Sequence, residues 1–376
     1  GMYTNIYRSF NYSPETLIGE KIYVEKNIDI VIGDLCDRFP ELKDKISDDF
    51  LKRCILVNND FGEFYFLNKY MKKGILPQLE DDFINYRNEY LKIRDSYDFN
   101  TPEYQIYNDL QSQAKDLMNS VYGITGYIKF ILYSPIVASS ITSTARNMIK
   151  WVNEFAEKSK FLSVYSDTDS SFIKFDDNLS IKDFKCYALE FEKFLNSNLN
   201  DFMKRYSEDS EVINTHYNQI EFQKCYINII FTDMKKRYLG NIIFYKGKEL
   251  VEPKLEVVGF ESRRDDTPKF FKEVLLKSYL MLLNANYKEN IKNLYYTLIN
   301  DIKKIEINNL IIRVKLSRHM DDYIKNIPIH LRAVKNSKGL VYRGDYVNMI
   351  YVEDSREVLH YDENLNLKFK LDYKKY

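Results

Sequence analysis

Cysteine, histidine and long apolar runs are the features that this sequence of 376 residues lacks or holds in small number. Neither the cysteines nor the four histidines have the spacing of a disulfide framework or a zinc site. No signal peptide and no long uncharged apolar run is present, so we expect a soluble, intracellular protein with no membrane partner. The four cysteines are Cys36, Cys54, Cys186 and Cys225.

An excess of charge of one sign is also lacking, because 55 Lys and Arg residues balance 55 Asp and Glu residues. The overall charge therefore gives no evidence for a nucleic-acid partner. Such evidence has to come from local clusters of basic residues. The length allows two or three domains that each bury a core. No internal repeat, low-complexity segment or flexible linker separates them.

An acidic turn is predicted at positions 164–170, which read VYSDTDS. Asp167 and Asp169 lie between short apolar runs, a pattern that predicts a strand, a tight turn and a second strand. Two carboxylates this close together are stabilised by a cation between them, and oxygen ligands suit Mg²⁺. The alternative is a solvated acidic hairpin tip. The apolar flanks at 161–162 and 172–173 favour a turn that is anchored in a buried sheet.

Two amphipathic helices are predicted between residues 74 and 120. Apolar side chains recur at three- and four-residue steps over 75–93, which is typical of a helix with one buried face. After a break at 96–100, the Thr-Pro-Glu sequence at 101–103 supplies an N-cap for the second helix. The pair therefore forms a helical hairpin.

One face of the second helix carries polar side chains of three different kinds. Lys115, Asn119 and Tyr122 have the spacing that places them on the same side of a helix. A cation, an amide and a phenol together would hold a triphosphate and stack on a base. The alternative, and the more common outcome, is a stripe that faces solvent.

A short basic cluster lies between two predicted strands, 227–231 and 240–245. Three cations and a tyrosine in a row form a patch suited to phosphate groups. The alternative is a strand edge that lysines protect from aggregation. The cluster consists of Lys235, Lys236, Arg237 and Tyr238.

The remainder of the chain is predicted to be mainly helical. A strand over 252–261 is followed by a helix that begins after the Thr-Pro pair at 267–268. The last hundred residues are rich in Lys and Arg, with a further strand over 346–352.

The order of these motifs along the chain resembles that of the family B DNA polymerases. Residues 115–123 resemble the fingers-helix motif, 165–170 the metal-binding motif, and 235–238 the primer-grip motif beside the thumb. The segments 74–77 with Arg87, and 252–255 with 267–269, further resemble the T-even-type bacteriophage enzymes. The resemblance covers nearly the whole chain.

This resemblance implies an α+β fold with the right-hand architecture of polymerases. Such a fold combines an antiparallel palm sheet with packed helices, a helical-hairpin fingers domain and a mainly helical thumb. The implied segments are a first palm segment at 2–73, the fingers at 74–126, the main palm at 127–259 and the thumb at 260–376.

The resemblance also implies a role for each motif residue in DNA synthesis. Asp167 and Asp169 would be catalytic ligands of two Mg²⁺ ions, and Thr168 between them would contact DNA. The nucleotide-binding residues would be Tyr3, Arg87, Lys115, Asn119 and Tyr122. The remaining DNA contacts would come from Lys235, Lys236, Arg237 and Tyr238.

One part of the family pattern is missing. Residues 11–16 (NYSPET) resemble the end of the first palm motif. Counting back from them aligns Tyr3 with the family's sugar-sensing tyrosine. The motif's metal-binding Asp would lie further toward the N-terminus, and this sequence does not reach it. We therefore expect the C-terminal subunit of a split polymerase, whose N-terminal partner supplies that Asp and a 3′–5′ exonuclease. The alternatives are a polymerase-derived module that binds DNA without chemistry, and a shortened form of an intact polymerase.

The other implied partners are primer–template DNA, deoxynucleoside triphosphates and, as a further candidate, a sliding clamp, although no terminal clamp-binding peptide is evident. The implied location is the cytoplasm of an infected bacterium. Three positions depart from the family pattern: Ser166 replaces the usual Gly, Leu91 replaces a second cation, and Gln223 stands near the place of an accessory Glu.

Overall fold

The fold is described from a computed structural model over residues 1–176, 179–284, 287–318, 322, 327–338, 340–362 and 368–376. Contacts between residues divide the chain into two units, Gly1–Phe222 and Gln223–Tyr376. This boundary lies inside the segment expected to be the main palm, and the four-part division remains a prediction.

The first unit combines helices with short antiparallel strands. Its helices are α1 (Met2–Phe10), α2 (Lys21–Lys26), α3 (Ile28–Arg38), α4 (Phe50–Arg53), α5 (Ile75–Arg94), α6 (Pro102–Thr125), α7 (Pro135–Lys158), α8 (Ile181–Ser197), α9 (Leu199–Met203) and α10 (Ser210–Asn214). Its strands are β1 (Leu17–Glu20), β2 (Ile55–Asn59), β3 (Gly62–Phe66), β4 (Leu162–Asp167) and β5 (Ser170–Lys174).

The main core of the first unit forms around α7. Strands β1, β3 and β2 make an antiparallel sheet in that order, and α7 contacts both β2 and α1. Trp151 of α7 is fully buried, with its ring centroid 5.9 Å from that of Phe202. On the same helix, the Thr144 hydroxyl forms a 3.0 Å hydrogen bond with the buried Tyr12 hydroxyl.

A second, smaller core lies beneath α2, α3 and α4. It is built from apolar side chains of these helices and of the neighbouring strand and loop. Its buried members include Val24, Leu35, Leu42, Phe50 and Leu67.

Helices α5 and α6 pack against each other and confirm the predicted helical hairpin. The Thr101 hydroxyl caps α6 by accepting a 3.2 Å hydrogen bond from the Tyr104 backbone N–H, as the Thr-Pro-Glu sequence predicts. At its start, α5 is tied to α1 by the ion pair between Arg8 and Asp81. The hairpin therefore projects from a fixed base beside α1.

The predicted acidic hairpin is present as β4 and β5, but the expectation of a buried sheet around it is wrong. Among the described residues these two strands pair only with each other. Leu162 and Val164 of β4 remain 58% and 42% exposed. The apolar flanks therefore do not bury the turn within residues 1–222. They pack at the base of the hairpin, where the Phe161 and Phe175 ring centroids lie 4.2 Å apart.

The second unit contains two antiparallel sheets and a few helices. Its strands are β6 (Lys224–Phe231), β7 (Tyr238–Tyr245), β8 (Lys248–Val258), β9 (Ile312–Lys315), β10 (Tyr346–Tyr351) and β11 (Val358–His360). Its helices are α11 (Lys269–Leu283), α12 (Tyr287–Asp301) and α13 (Ile329–Ser337). Helix α11 packs on the sheet ordered β6-β7-β8, and α13 packs on the sheet ordered β11-β10-β9.

The segment from residue 260 onward contains three helices, as predicted, and the strand expected over 346–352 is present as β10, but strands β9 and β11 beside it were not predicted. Ile312, Arg313, Val314 and Lys315 alternate between apolar and basic residues, which is a strand pattern. Four residues are too few to predict a strand from this alternation alone. Pairing with β10, which is distant in sequence, fixes these residues as a strand. The α+β class is confirmed as a mixture of small antiparallel sheets and packed helices.

No helix within the described part of the chain is both long enough and apolar enough to cross a membrane.

Candidate active site

The acidic turn has a defined backbone geometry. Asp167 ends β4 opposite Ser170, and Thr168 and Asp169 form the two-residue connection. The Asp169 backbone N–H donates to the Asp167 carbonyl at 2.7 Å, and the Thr168 hydroxyl donates to the Asp167 carboxylate at 3.0 Å. Thr168 has a φ of 55°, which is uncommon for a β-branched residue. Backbone and side-chain contacts together hold this strained turn.

An open pocket of about 410 Å³ lies where three separate segments meet. The first turn of α1, one face of α6 and the acidic turn each contribute to its wall. The lining residues are Gly1, Met2, Tyr3, Thr4, Met118, Asn119, Thr168 and Asp169.

Two tyrosines meet beside this pocket. The ring centroids of Tyr3 on α1 and Tyr122 on α6 lie 4.6 Å apart, with 43° between the ring planes. Burial raises the pKa of the Tyr3 phenol, and Tyr122 and Asp169 raise it further. Tyr3 is therefore a neutral aromatic surface that is fixed between α6 and the acidic turn.

The predicted cations Arg87 of α5 and Lys115 of α6 lie near the first residue of the chain. Burial lowers the pKa of the Gly1 amino group, and Arg87, Asp169 and Lys115 are among the charged groups that act on it. The Arg87 Nε also donates to the Gln111 Oε1 across the α5–α6 pair at 3.4 Å. Arg87, Lys115 and Asp169 therefore all lie near Gly1, which lines the pocket.

Glu80 at the base of α5 is a feature that sequence reasoning missed. Its side chain is buried, and within the described residues its Oε2 has no hydrogen-bond partner. Burial raises the pKa of this carboxyl to about 7, against a hydrogen bond from Thr4 that lowers the pKa. The available signal was its position one helical turn after the buried Leu76, on the apolar face of α5.

The basic cluster lies in the second unit, at the turn from β6 to β7. Lys235 is exposed in this turn, and Lys236 has a left-handed φ of 59°. Arg237 donates to both carboxylate oxygens of Glu261, at 2.7 and 2.9 Å, and its guanidinium lies 4.7 Å from the ring centroid of Phe260. Arg237 therefore links the β6–β7 turn to the segment that follows β8.

Gly259 offers a test of this turn. It has a φ of +74°, and an added Cβ would lie 2.2 Å from the Lys236 carbonyl oxygen. We expect Gly259→Ala to destabilise the second unit by about 2 kcal/mol or more, because the turn backbone must move, and to weaken the DNA binding that the sequence resemblance implies. Thermal unfolding and DNA titration would measure both effects.

Gly247→Ala is the matched control for Gly259→Ala. Gly247 has a similar φ of +79°, but an added Cβ there would meet nothing within 4 Å. This variant carries the same backbone strain without the clash, so DNA affinity should stay near that of the unmodified chain. Equal losses of DNA affinity in the two variants would contradict a specific role for the Gly259 contact.

The structure thus brings most of the predicted residues of the first unit together. Tyr3, Asn119 and Asp169 line or adjoin one pocket, with Tyr122 against Tyr3. The basic cluster belongs to the other unit. Individual roles in catalysis, nucleotide binding and DNA binding remain predictions.

Small antiparallel sheets with packed helices, a helical hairpin and an acidic turn beside a pocket that Tyr3 lines are consistent with a polymerase-like class of protein. A family model described as DNA polymerase family B matches residues 1–375. The chain belongs to this family, and the resemblance seen in the sequence is confirmed at that level.

The chain is similar to curated polymerases from several kinds of organism. It is 26% identical over 338 residues to DNA polymerase 1 of Sulfolobus acidocaldarius, covering 85% of this chain and 34% of the relative. It is 24% identical to a DNA polymerase of Paramecium bursaria Chlorella virus NY2A, covering 95% of this chain and 36% of that protein. The chain therefore spans about a third of the length of these relatives.

A solved structure shows the same fold. The family B DNA polymerase from the hyperthermophilic archaeon Pyrobaculum calidifontis matches with a TM-score of 0.53 and 21% identity, covering 98% of this chain and 41% of that one.

Proposed function

We propose that this chain carries the nucleotidyl-transfer part of a family B DNA polymerase and adds deoxynucleotides to a primer under the direction of a template. The observation that carries the proposal is the pocket at which Tyr3, Asn119 and Asp169 meet from three distant segments. Membership of the family supplies the reaction class. Primer–template DNA and deoxynucleoside triphosphates are the proposed substrates.

The acidic turn suits a divalent cation, with Mg²⁺ as the proposed ion. Proteins commonly hold Mg²⁺ with one or two carboxylates while substrate phosphates complete its coordination, and Asp167 and Asp169 provide two carboxylates. Within the described residues, no group of three or more His, Cys, Asp or Glu side chains is placed to hold a metal ion. When bound, two such ions would stabilise the charge on the attacking and leaving oxygens of phosphoryl transfer.

The side chains of the fingers helices would act on the incoming nucleotide. Arg87 and Lys115 would neutralise the triphosphate, which raises local affinity and stabilises charge that develops during transfer. Asn119 and Tyr122 would face the new base pair. Tyr3 would pack under the deoxyribose, where its ring leaves no room for a 2′-hydroxyl.

Contacts to the DNA backbone would come from the acidic turn and the basic cluster. Thr168, Lys235, Lys236 and Tyr238 are the proposed contacts, and phosphate contacts of this kind position DNA without reading its sequence. Arg237 would act mainly through Glu261, by keeping the turn in shape. Binding should weaken as salt concentration rises.

We further propose that a second polypeptide completes the site. The exposed apolar side chains of Leu162 and Val164 on β4 support this, because a two-stranded sheet of this kind is marginal alone and a further strand would cover them. The partner would be an N-terminal polymerase chain of bacteriophage type that carries the exonuclease and one more metal-binding Asp. A sliding clamp remains a proposed additional partner.

Primer extension with and without the partner tests this proposal. We expect the 376-residue chain alone, with Mg²⁺ and a primer–template, to extend the primer at least about 100-fold more slowly than the chain mixed with the partner, because the proposed partner adds a metal-binding carboxylate. Robust extension by the chain alone would contradict the split site. The reading frame immediately upstream would distinguish a separate partner from a longer form of this chain.

A further inference from the structure

The acidic hairpin needs a second point of support. Its base is held by aromatic contacts, with the Phe161 and Phe191 ring centroids 5.3 Å apart. Its turn lies at the opposite end, where Thr168 has the disfavoured left-handed conformation. A hairpin of two short strands is only marginally stable by itself, so a contact near the turn decides how well the carboxylates are held.

One side chain of α7 supplies such a contact. The Asn153 Nδ2 donates to the Ser166 hydroxyl at 3.1 Å, and the Asn153 Oδ1 accepts from the Ser171 hydroxyl at 2.5 Å. Ser166 and Ser171 are directly paired across β4 and β5, and their hydroxyl oxygens lie 3.4 Å apart. A single amide therefore joins both strands of the hairpin to α7.

The position of this contact matters as much as its strength. The Ser166–Ser171 pair is the last pair of residues before Asp167 and Ser170 close the hairpin. An amide presents a donor and an acceptor at once, and both are used here.

We infer that Asn153 is a positioning residue, which acts through Ser166 and Ser171 to fix the Asp167–Asp169 turn for the binding of divalent cations. This inference rests on the proposed function, in which those carboxylates hold Mg²⁺. Asn153 itself is not among the residues that line the pocket. A variant that lacks the Asn153 side chain still has both Asp residues, but its acidic turn can move relative to α7.

The test compares Asn153→Ala with the unmodified polymerase, meaning this chain together with the polypeptide that completes it. Groups that orient metal ligands typically change metal affinity or activity by about 10–100-fold when they are removed. We expect the Mg²⁺ concentration for half-maximal primer extension to rise about tenfold. The KM for primer–template at saturating Mg²⁺ should stay unchanged, which a general loss of structure would not allow.

A readout without catalysis accompanies the activity measurement. Amide hydrogen exchange in the 376-residue chain should become faster over residues 166–171 in Asn153→Ala. The double variant Ser166→Ala/Ser171→Ala should behave in the same way. Adding Asn153→Ala to it should cause little further change, because all three side chains form one network.

Asn147→Ala is the matched control on the same helix. The Asn147 Nδ2 donates to the Tyr206 hydroxyl at 3.1 Å, away from the hairpin. This variant should lower the melting temperature while the Mg²⁺ midpoint and the exchange over residues 166–171 remain at wild-type values.

The possible failures are distinguishable. A wild-type Mg²⁺ midpoint or unchanged hydrogen exchange in Asn153→Ala would overturn the positioning role. Full activity of Asp167→Ala would instead remove the proposed function, and the positioning role with it.

Discussion

Replacing Asp167 by Ala is expected to lower primer extension by the completed polymerase at least about 1,000-fold, which corresponds to roughly 4 kcal/mol of transition-state stabilisation. The side chain ends β4, and it accepts a hydrogen bond from the Thr168 hydroxyl that sets its orientation. Without this carboxylate the turn keeps only Asp169, and a divalent cation would lose half of the ligands that this chain provides. Single-turnover extension of a labelled primer would measure the loss.

Asp201→Ala controls for the removal of a carboxylate as such. Asp201 is exposed on α9 and pairs with Lys204 at 2.8 Å, so its loss should leave extension within about twofold of the wild type. Both variants should bind primer–template with similar affinity. Activity that survives Asp167→Ala would favour the alternative of a module that binds DNA without performing chemistry.

Replacing Tyr3 by Ala is expected to weaken the discrimination against ribonucleotides by roughly 100-fold, measured as the ratio of kcat/KM for a deoxynucleotide and its ribonucleotide. The reason is steric, because the Tyr3 ring is fixed against Tyr122 beside the pocket. Its helix is anchored by the fully buried side chains of Ile6, Tyr7 and Phe10, so the ring cannot retreat.

Tyr3→Phe separates the bulk of the ring from its hydroxyl. This variant keeps the aromatic surface and should retain most of the discrimination against ribonucleotides. If Tyr3→Phe loses as much discrimination as Tyr3→Ala, the steric explanation fails and the hydroxyl is the discriminating group. Melting temperatures should accompany both measurements, because the Tyr3–Tyr122 contact also contributes to packing.

The parts of the fold that the sequence predicts are those with strong local patterns. The spacing of apolar residues over 75–93 and the cap at Thr101 specify the helical hairpin within a short stretch of chain. The acidic turn is equally local, since Asp and Ser between apolar runs favour a tight connection. Its residues could be assigned to one site only through the order of the motifs.

The features that were missed depend on contacts between distant segments. Helix α1 is short, and it is held by packing on α5 and α7 that no local pattern reveals. The pairing of Arg237 with Glu261 is likewise absent from any local pattern, because the two residues are 24 positions apart. In the sequence, Asn153 cannot be distinguished from other polar residues of a helix. Its contacts with β4 and β5 appear only in the structure.

Helix α7 has a dynamic consequence for the acidic turn. Trp151 and Asn153 are two residues apart on this helix, and the first is fully buried in the core while the second holds the hairpin. The turn is thereby linked to a helix that contributes to the main core of the first unit. Movement of the turn relative to the core would then require the Asn153 hydrogen bonds to break, so we expect these bonds to slow its local opening.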